Sequence, residues 1–177
     1  MKRDKLTRLT FMALCCTLGL FSKRLISPAA NIVTDSLHIP GGISTGFSLM
    51  FLVIAASITP GRGCAALMSA VQSALALSLG MVGSMGVLSP LGYIVPGLVI
   101  DCVYALFQKS ALSRREQMLL ANILASAAAC LTANLIVFRL RGIVLALYVS
   151  VAALSGAVCG VLAGEITGKL KPIFKEG

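Results

Sequence analysis

An acid sits inside an apolar run: Asp101 lies in Leu91-Gly-Tyr-Ile-Val-Pro-Gly-Leu-Val-Ile-Asp-Cys-Val-Tyr-Ala-Leu-Phe107. An ionised carboxylate at bilayer depth costs roughly 2.5–3.5 kcal/mol on insertion scales, so such a residue faces a protein interior and a partner. Tyr93, Gly97, Asp101 and Tyr104 are spaced four, four and three residues apart, which puts them on one helix face. Pro96-Gly97 should bend that helix just outside the acid. Such a face could line a pocket. Counting about 1.5 Å per residue from Leu91 puts Asp101 about 15 Å deep, and Gln72 reaches a comparable depth from the opposite direction. No Lys or Arg falls at this depth, which leaves three states for the acid. It is protonated, hydrogen-bonded to neutral groups such as Gln72 or a tyrosine, or matched by a positive charge on a ligand. The third would best explain its retention.

The other polar residues of the apolar segments are few. Asn134 and Tyr148 lie toward the outer ends of their segments, and Asn31, Asp35 and His38 fall in the first outer loop. With Asp101, Tyr93 and Gln72 they are the candidate substrate-binding residues. Glu165 lies near the inner end of its segment, where snorkelling and the lysine-rich tail satisfy it. His38 is the only histidine and no Cys/His/Asp cluster has ligand spacing, so neither a metal nor another cofactor is expected. Gly41-Gly-Ile-Ser-Thr-Gly46 lacks the Gly-x-Ser-x-Gly form of a nucleophile elbow. Gly164-Glu-Ile-Thr-Gly-Lys169 is too short for a phosphate loop, and Leu170 stands where Ser or Thr is required. The chain reads as a non-enzyme with no ATP site of its own.

The elements that must carry these residues follow from composition. With 58% hydrophobic and 12% charged residues, the chain departs from soluble domains, in which about a quarter of residues are charged. Apolar stretches over 9–26, 41–59, 64–82, 88–107, 118–138 and 143–166 each approach the ~20 residues that cross ~30 Å of hydrocarbon. The expected fold is an all-α integral membrane protein, a compact bundle of six transmembrane helices forming one domain over 1–177. An even number of spans puts both ends on one side. Lys2, Arg3, Lys5, Arg8, Arg62, Lys109, Arg114, Arg115, Lys169, Lys171 and Lys175 gather there, and Lys23, Arg24, Arg139 and Arg141 face the other side. This bias makes both termini cytoplasmic in a cell membrane. The net charge of +9 then reflects orientation in the bilayer and calls for no nucleic acid. A secretory signal is the competing reading of the first segment, with Ser27-Pro-Ala-Ala30 as its small-residue site. Lys23-Arg24 interrupts that pattern, and removing the segment would leave five spans with a poorer charge bias. The six cysteines all lie in apolar segments without Cys-x-x-Cys spacing and read as small packing residues.

Small residues recur every fourth position, which puts them on one face and lets backbones approach closely. Gly156, Gly160, Gly164 and Gly168 form one such stripe, Ala121, Ala125, Ala129 and Ala133 a second, and Ala66, Ala70, Ala74 and Ser78 a third. Ala13 and Thr17 make a shorter pair on the first segment. Each packs inside the bundle or, facing outward, docks another membrane subunit.

Arg8-Leu-Thr-Phe-Met-Ala-Leu-Cys-Cys-Thr17 resembles the opening helix of the S components of energy-coupling-factor (ECF) vitamin transporters. Pro40-Gly-Gly-Ile-Ser-Thr-Gly-Phe-Ser48 and Leu91-Gly-Tyr-Ile-Val-Pro-Gly-Leu-Val-Ile-Asp101 are similar to segments of its thiamin-related and uncharacterised members. The resemblance implies capture of a vitamin or precursor from outside. It also implies three partners: a transmembrane coupling subunit and two cytoplasmic ATPases. In that family an Ala-x-x-x-Ala pattern on the first helix docks the coupling subunit, and here it reads Ala13-Leu-Cys-Cys-Thr17. The absence of tryptophan departs from thiamin-binding members, which lean on aromatic stacking. Two other readings are a small structural subunit of a membrane complex, with Asp101 in an interhelical polar network, and a proton-coupled carrier, for which no clear inverted repeat is visible.

Overall fold

The computed structural model describes residues 2–37, 43–59, 61, 63–80, 86, 88–108, 110–136, 139 and 142–170. Its six main elements are the helices α1 (Lys2–Leu37), α2 (Ile43–Ile58), α3 (Cys64–Ser78), α4 (Ser89–Phe107), α5 (Arg114–Ile136) and α6 (Ile143–Leu170). Four are long and apolar enough to cross a membrane: Leu6–Pro28 within α1, and all of α4, α5 and α6. Leu6, Leu14, Leu18, Phe21 and Leu25 on α1, and Leu147, Leu154, Val158 and Val161 on α6, stand exposed. Apolar surface in this quantity suits lipid and not water, and it marks the chain as a membrane protein.

The remaining two helices are shorter, 16 residues for α2 and 15 for α3. α2 is the centre of the bundle and packs against all five other helices. Leu49, Met50, Leu52, Val53, Ile54, Ala55 and Ala56 are all buried on it, which is why its sequence is apolar on every side. Contacts between helix ends fix the up-and-down order. Arg114 at the start of α5 reaches Ser57 at the end of α2, and Arg115 pairs with Glu165 near the end of α6. Met12 of α1 meets Cys64 at the start of α3. These termini form a basic end. Lys23, Ser44, Tyr93, Ile136 and Ile143 belong to the opposite end. The Arg115–Glu165 pair is 2.9 Å long but more than half exposed, so it adds little stability, ~0–1 kcal/mol.

Helix boundaries depart from the sequence reading where local chemistry intervenes. The first span was expected over 9–26 with a loop over 27–40, but α1 continues through Pro28 to Leu37. Proline removes one N–H and crowds the turn before it, and it leaves the turns after it free to form. Asn31 and Asp35 therefore lie on helical backbone and not in a loop; their side chains lie outside the described set, and His38 lies outside the described residues. α5 begins at Arg114 instead of 118 because Ser113 and Glu116 make a capping box. The Ser113 N–H donates to Glu116 Oε2 at 2.7 Å, and the Glu116 N–H donates to Ser113 Oγ at 3.3 Å.

The α6 glycine stripe packs inside the bundle against the Leu119–Asn122–Ser126 face of α5, and the α5 alanines Ala121, Ala125 and Ala129 are buried as well. Ala121 and Ala125 are fully buried, as are Ala152 and Ala163 on α6. A Cβ on Gly156 would stand 2.8 Å from both the Asn122 carbonyl oxygen and Ser126 Oγ, and one on Gly160 would stand 2.9 Å from Leu119 Cα. Gly156→Ala should therefore cost about 1–3 kcal/mol, the range for overpacking a close contact. Gly164→Ala should be neutral or stabilising by up to ~1 kcal/mol from helix propensity, because its nearest neighbour, Arg115 Cγ, lies 3.6 Å away. Thermal unfolding in detergent separates the two variants, and equal behaviour would contradict an inward-facing stripe. The α3 stripe is turned the other way: Ala70, Ala74 and Ser78 are exposed, and α3 buries Ala65, Met68, Ser69, Gln72, Ser73 and Ala76 instead.

Candidate functional site

Asp101 belongs to the basic end, and its position follows from how α3 begins. The turn before α3 closes on Gly63 in the left-handed region (φ 81°), and Cys64-Ala65-Ala66 supplies no side-chain cap. A helix start leaves four N–H groups without intrahelical acceptors. Here regular helical bonding begins with the Leu67 N–H on the N-cap Gly63 carbonyl at 2.9 Å, and before it the Cys64 N–H donates to the Gly61 carbonyl at 3.3 Å. The next two donate to Asp101 from across the helix pair: Ala65 N–H to Oδ1 at 3.2 Å and Ala66 N–H to Oδ2 at 2.8 Å. Gly97 makes this possible, since a Cβ there would stand 2.6 Å from Ser69 Cβ and 2.8 Å from the Ala65 carbonyl oxygen. One turn later α4 is close enough for Asp101 to cap α3. The carboxylate also meets the positive end of the α3 dipole, so its compensation lies within the chain.

Gln72 is not beside it. It lies seven residues along α3 from Ala65, ~10 Å of helix rise, and donates to the Cys16 carbonyl at 3.0 Å, tying α1 to α3. The depth matching of Asp101 and Gln72 gives way because α3 starts deep beside α4. Tyr93 is eight residues before Asp101, ~12 Å back along α4. Asp101 instead shares a cavity of ≈ 220 Å³ with Ala56, Gly61, Tyr104, Ala105, Gln108 and Arg114. Tyr104 Oη donates to the Val53 carbonyl at 3.3 Å, and the Arg114 guanidinium lies 5.6 Å from the Tyr104 ring centre and donates to the Ser57 carbonyl. Asp101, Tyr104 and Arg114 on the cavity wall are thus each engaged by backbone groups of neighbouring helices.

The opposite end gathers a different set. Gly19, Lys23 and Ser27 follow at spacings of four along α1 and face the bundle. The Gly19 carbonyl accepts from Ser48 Oγ at 3.2 Å, and Ser27 Oγ lies 3.3 Å from Ser44 Oγ at the start of α2. Lys23 lies between these two contacts along α1, and its ammonium sits 4.1 Å from the centre of the Tyr93 ring. Tyr93 is buried with Leu20 and Ala76. Asn134 is buried on α5, its Nδ2 donating to the Cys130 carbonyl at 2.8 Å. Tyr148 is half-buried on α6, and no hydrogen bond joins it to Tyr93 or Asn134 among the described residues.

A third polar point lies between α2, α5 and α6. Asn122 Nδ2 donates to the Gly156 carbonyl at 2.8 Å and to the Gly46 carbonyl at 3.3 Å. Its Oδ1 and the neighbouring Ser126 Oγ are buried without a partner among the described residues. Ala13 and Thr17 face outward on α1, and the Thr17 hydroxyl donates to its own helix at Leu14 and Ala13. Among the described residues there is no group of three or more His, Cys, Asp or Glu that could hold a metal.

Lys23 and Asn122 did not stand out in the sequence, although each left a trace. Lys23 reads as a span-ending charge, but its spacing of four from Gly19 and Ser27 puts it on the packed face. Asn122 is a polar side chain inside an apolar span and stands four residues before Ser126, so the two share a face that lipid would not satisfy. No protein-family model matches the chain, and no similar protein was found among curated proteins or solved structures.

Proposed function

We propose that this chain is the solute-capturing membrane subunit of a transporter, an S component of the ECF kind, that binds a vitamin or similar small heterocycle from outside. Its energy would come from a coupling subunit and two ATPases. In this reading all six helices cross the bilayer, α2 and α3 as short packed partners of the longer four, and both termini are cytoplasmic. The observation that carries it is the grouping of a cation, an aromatic ring and two hydroxyls at the end away from the basic one. A capturing protein needs convergent polar groups on an apolar wall at its outer mouth. The sequence lacks a phosphate loop, so accumulation requires a partner, and the exposed Ala13–Thr17 pair offers that partner close approach.

Cells expressing the chain together with its coupling subunit and ATPases should deplete a solute from their medium, followed by mass spectrometry. Cells with the chain alone should not. Depletion by the chain alone would identify a self-sufficient carrier. A subunit that only supports assembly is the second reading, favoured by the engagement of Asp101 in helix capping; it predicts no depletion that depends on the outer cluster.

Orientation has its own check. In a cysteine-free background, a membrane-impermeant thiol reagent added outside should label a cysteine placed at Ser36 and miss one placed at Ser113, as the charge bias requires. The reverse pattern would invert the bundle and put the Lys23 cluster inside.

A further inference from the structure

Lys23 is a half-buried cation with no acidic partner among the described residues. The sequence holds six acids. Asp101 caps α3, Glu116 caps α5, and Glu165 pairs with Arg115. Asp4 and Asp35 are 19 residues before and 12 residues after Lys23 on the same helix. At ~1.5 Å per residue those separations are ~28 Å and ~18 Å, far beyond a lysine's reach. Glu176 lies outside the described residues, in sequence six positions past Leu170, where α6 ends at the basic end. The Tyr93 ring gives the ammonium one attractive face, but an ammonium has three donors and a ring cannot replace a counter-charge in apolar surroundings. Arg24, the next residue, is exposed and needs no such partner. A lysine that only snorkelled would share that exposure.

We infer that the Lys23 ammonium receives an anionic oxygen group, a carboxylate or phosphate, of the captured solute. Tyr93 is then the platform that holds the ammonium in place, and Ser27, one turn farther along α1, with its α2 neighbour Ser44, supplies hydroxyls on the same side for the entering group. The inference rests on the capture reading and narrows it: the solute is an anion, and the Asp101 carboxylate plays no part in its selection.

The test uses the full chain in nanodiscs of neutral phosphatidylcholine. The probe is yeast extract divided by anion exchange into a retained, anionic fraction and a flow-through. The retained fraction should raise the melting temperature of the wild type and of the control Arg24→Met. Lys23→Met should lose the response, with apparent affinity down about 30-fold or more, as expected when a desolvated charge loses its partner, and Lys23→Arg should keep part of it. Without solute, Lys23→Met should melt at or above the wild-type temperature, because an unbalanced buried charge has been removed; a purely structural lysine would leave it lower. Stabilisation by the flow-through alone, or equal response of Lys23→Met, overturns the anion and leaves capture standing. No response to either fraction overturns both. In a parallel arm, nanodiscs containing phosphatidylglycerol replace the extract; a Lys23-dependent rise there, with none from the extract, assigns the oxygen group to a lipid headgroup and overturns the solute.

Discussion

Asp101→Ala is expected to destabilise the protein by about 3 kcal/mol while leaving solute affinity unchanged. The magnitude follows from what the carboxylate holds. Removing it strands the Ala65 and Ala66 N–H groups at the start of α3. Losing a helix N-cap costs ~0.5–2 kcal/mol, and leaving buried donors unpaired costs about 1–3 kcal/mol. Asp101→Asn should fall between the alanine variant and the wild type. Its remaining oxygen can accept one of the two N–H groups, but its NH2 group would face the other, and the charge at the α3 dipole is gone. Thermal unfolding and solute binding measured on the same purified variants decide the matter. Wild-type melting with lost binding would return Asp101 to a solute site and undo the assignment of the outer end.

Ala13→Leu or Thr17→Leu should abolish assembly with the proposed coupling subunit and leave solute binding by the isolated chain intact. Both residues face outward, flanked by exposed Leu14, Leu18 and Phe21, and so form a shallow low point in an apolar face. Thr17 directs its hydroxyl to its own helix, at 2.9 Å from the Leu14 carbonyl and 3.1 Å from that of Ala13, so a partner meets a small and mostly apolar surface. Close helix packing in lipid depends on such small residues, and a leucine would hold the backbones apart. Co-purification of the coupling subunit at wild-type levels would move the docking face elsewhere. The exposed Ala70–Ala74–Ser78 stripe on α3 is the next surface to test, with Ala74→Leu.

Features governed by local pattern were legible in the sequence. Six helical elements follow from apolar run length, and the Gly156–Gly160 stripe declares a close helix contact by its spacing alone. Features that depend on where one helix starts relative to another were not. Counting residues from Leu91 places Asp101 at mid-depth, but only the late start of α3 beside α4 reveals what the acid meets. A helix opening Gly63-Cys-Ala-Ala66, with no acceptor of its own, was the signal that an acid from elsewhere would cap it. The apolar run ends at Ile26, yet α1 continues through Pro28 and nine residues beyond it. That extension puts Lys23 well inside α1, where its face, and not its nearness to a loop, decides its surroundings.

Native mass spectrometry of the isolated chain, released from nucleotide-free nanodiscs after exposure to yeast extract, tests solute capture most directly. One small molecule should be bound per chain without any ATPase present, lost in Lys23→Met and retained in Asp101→Asn. A chain that emerges empty from wild-type nanodiscs, or one whose bound molecule survives Lys23→Met and disappears with Asp101→Asn, would contradict it.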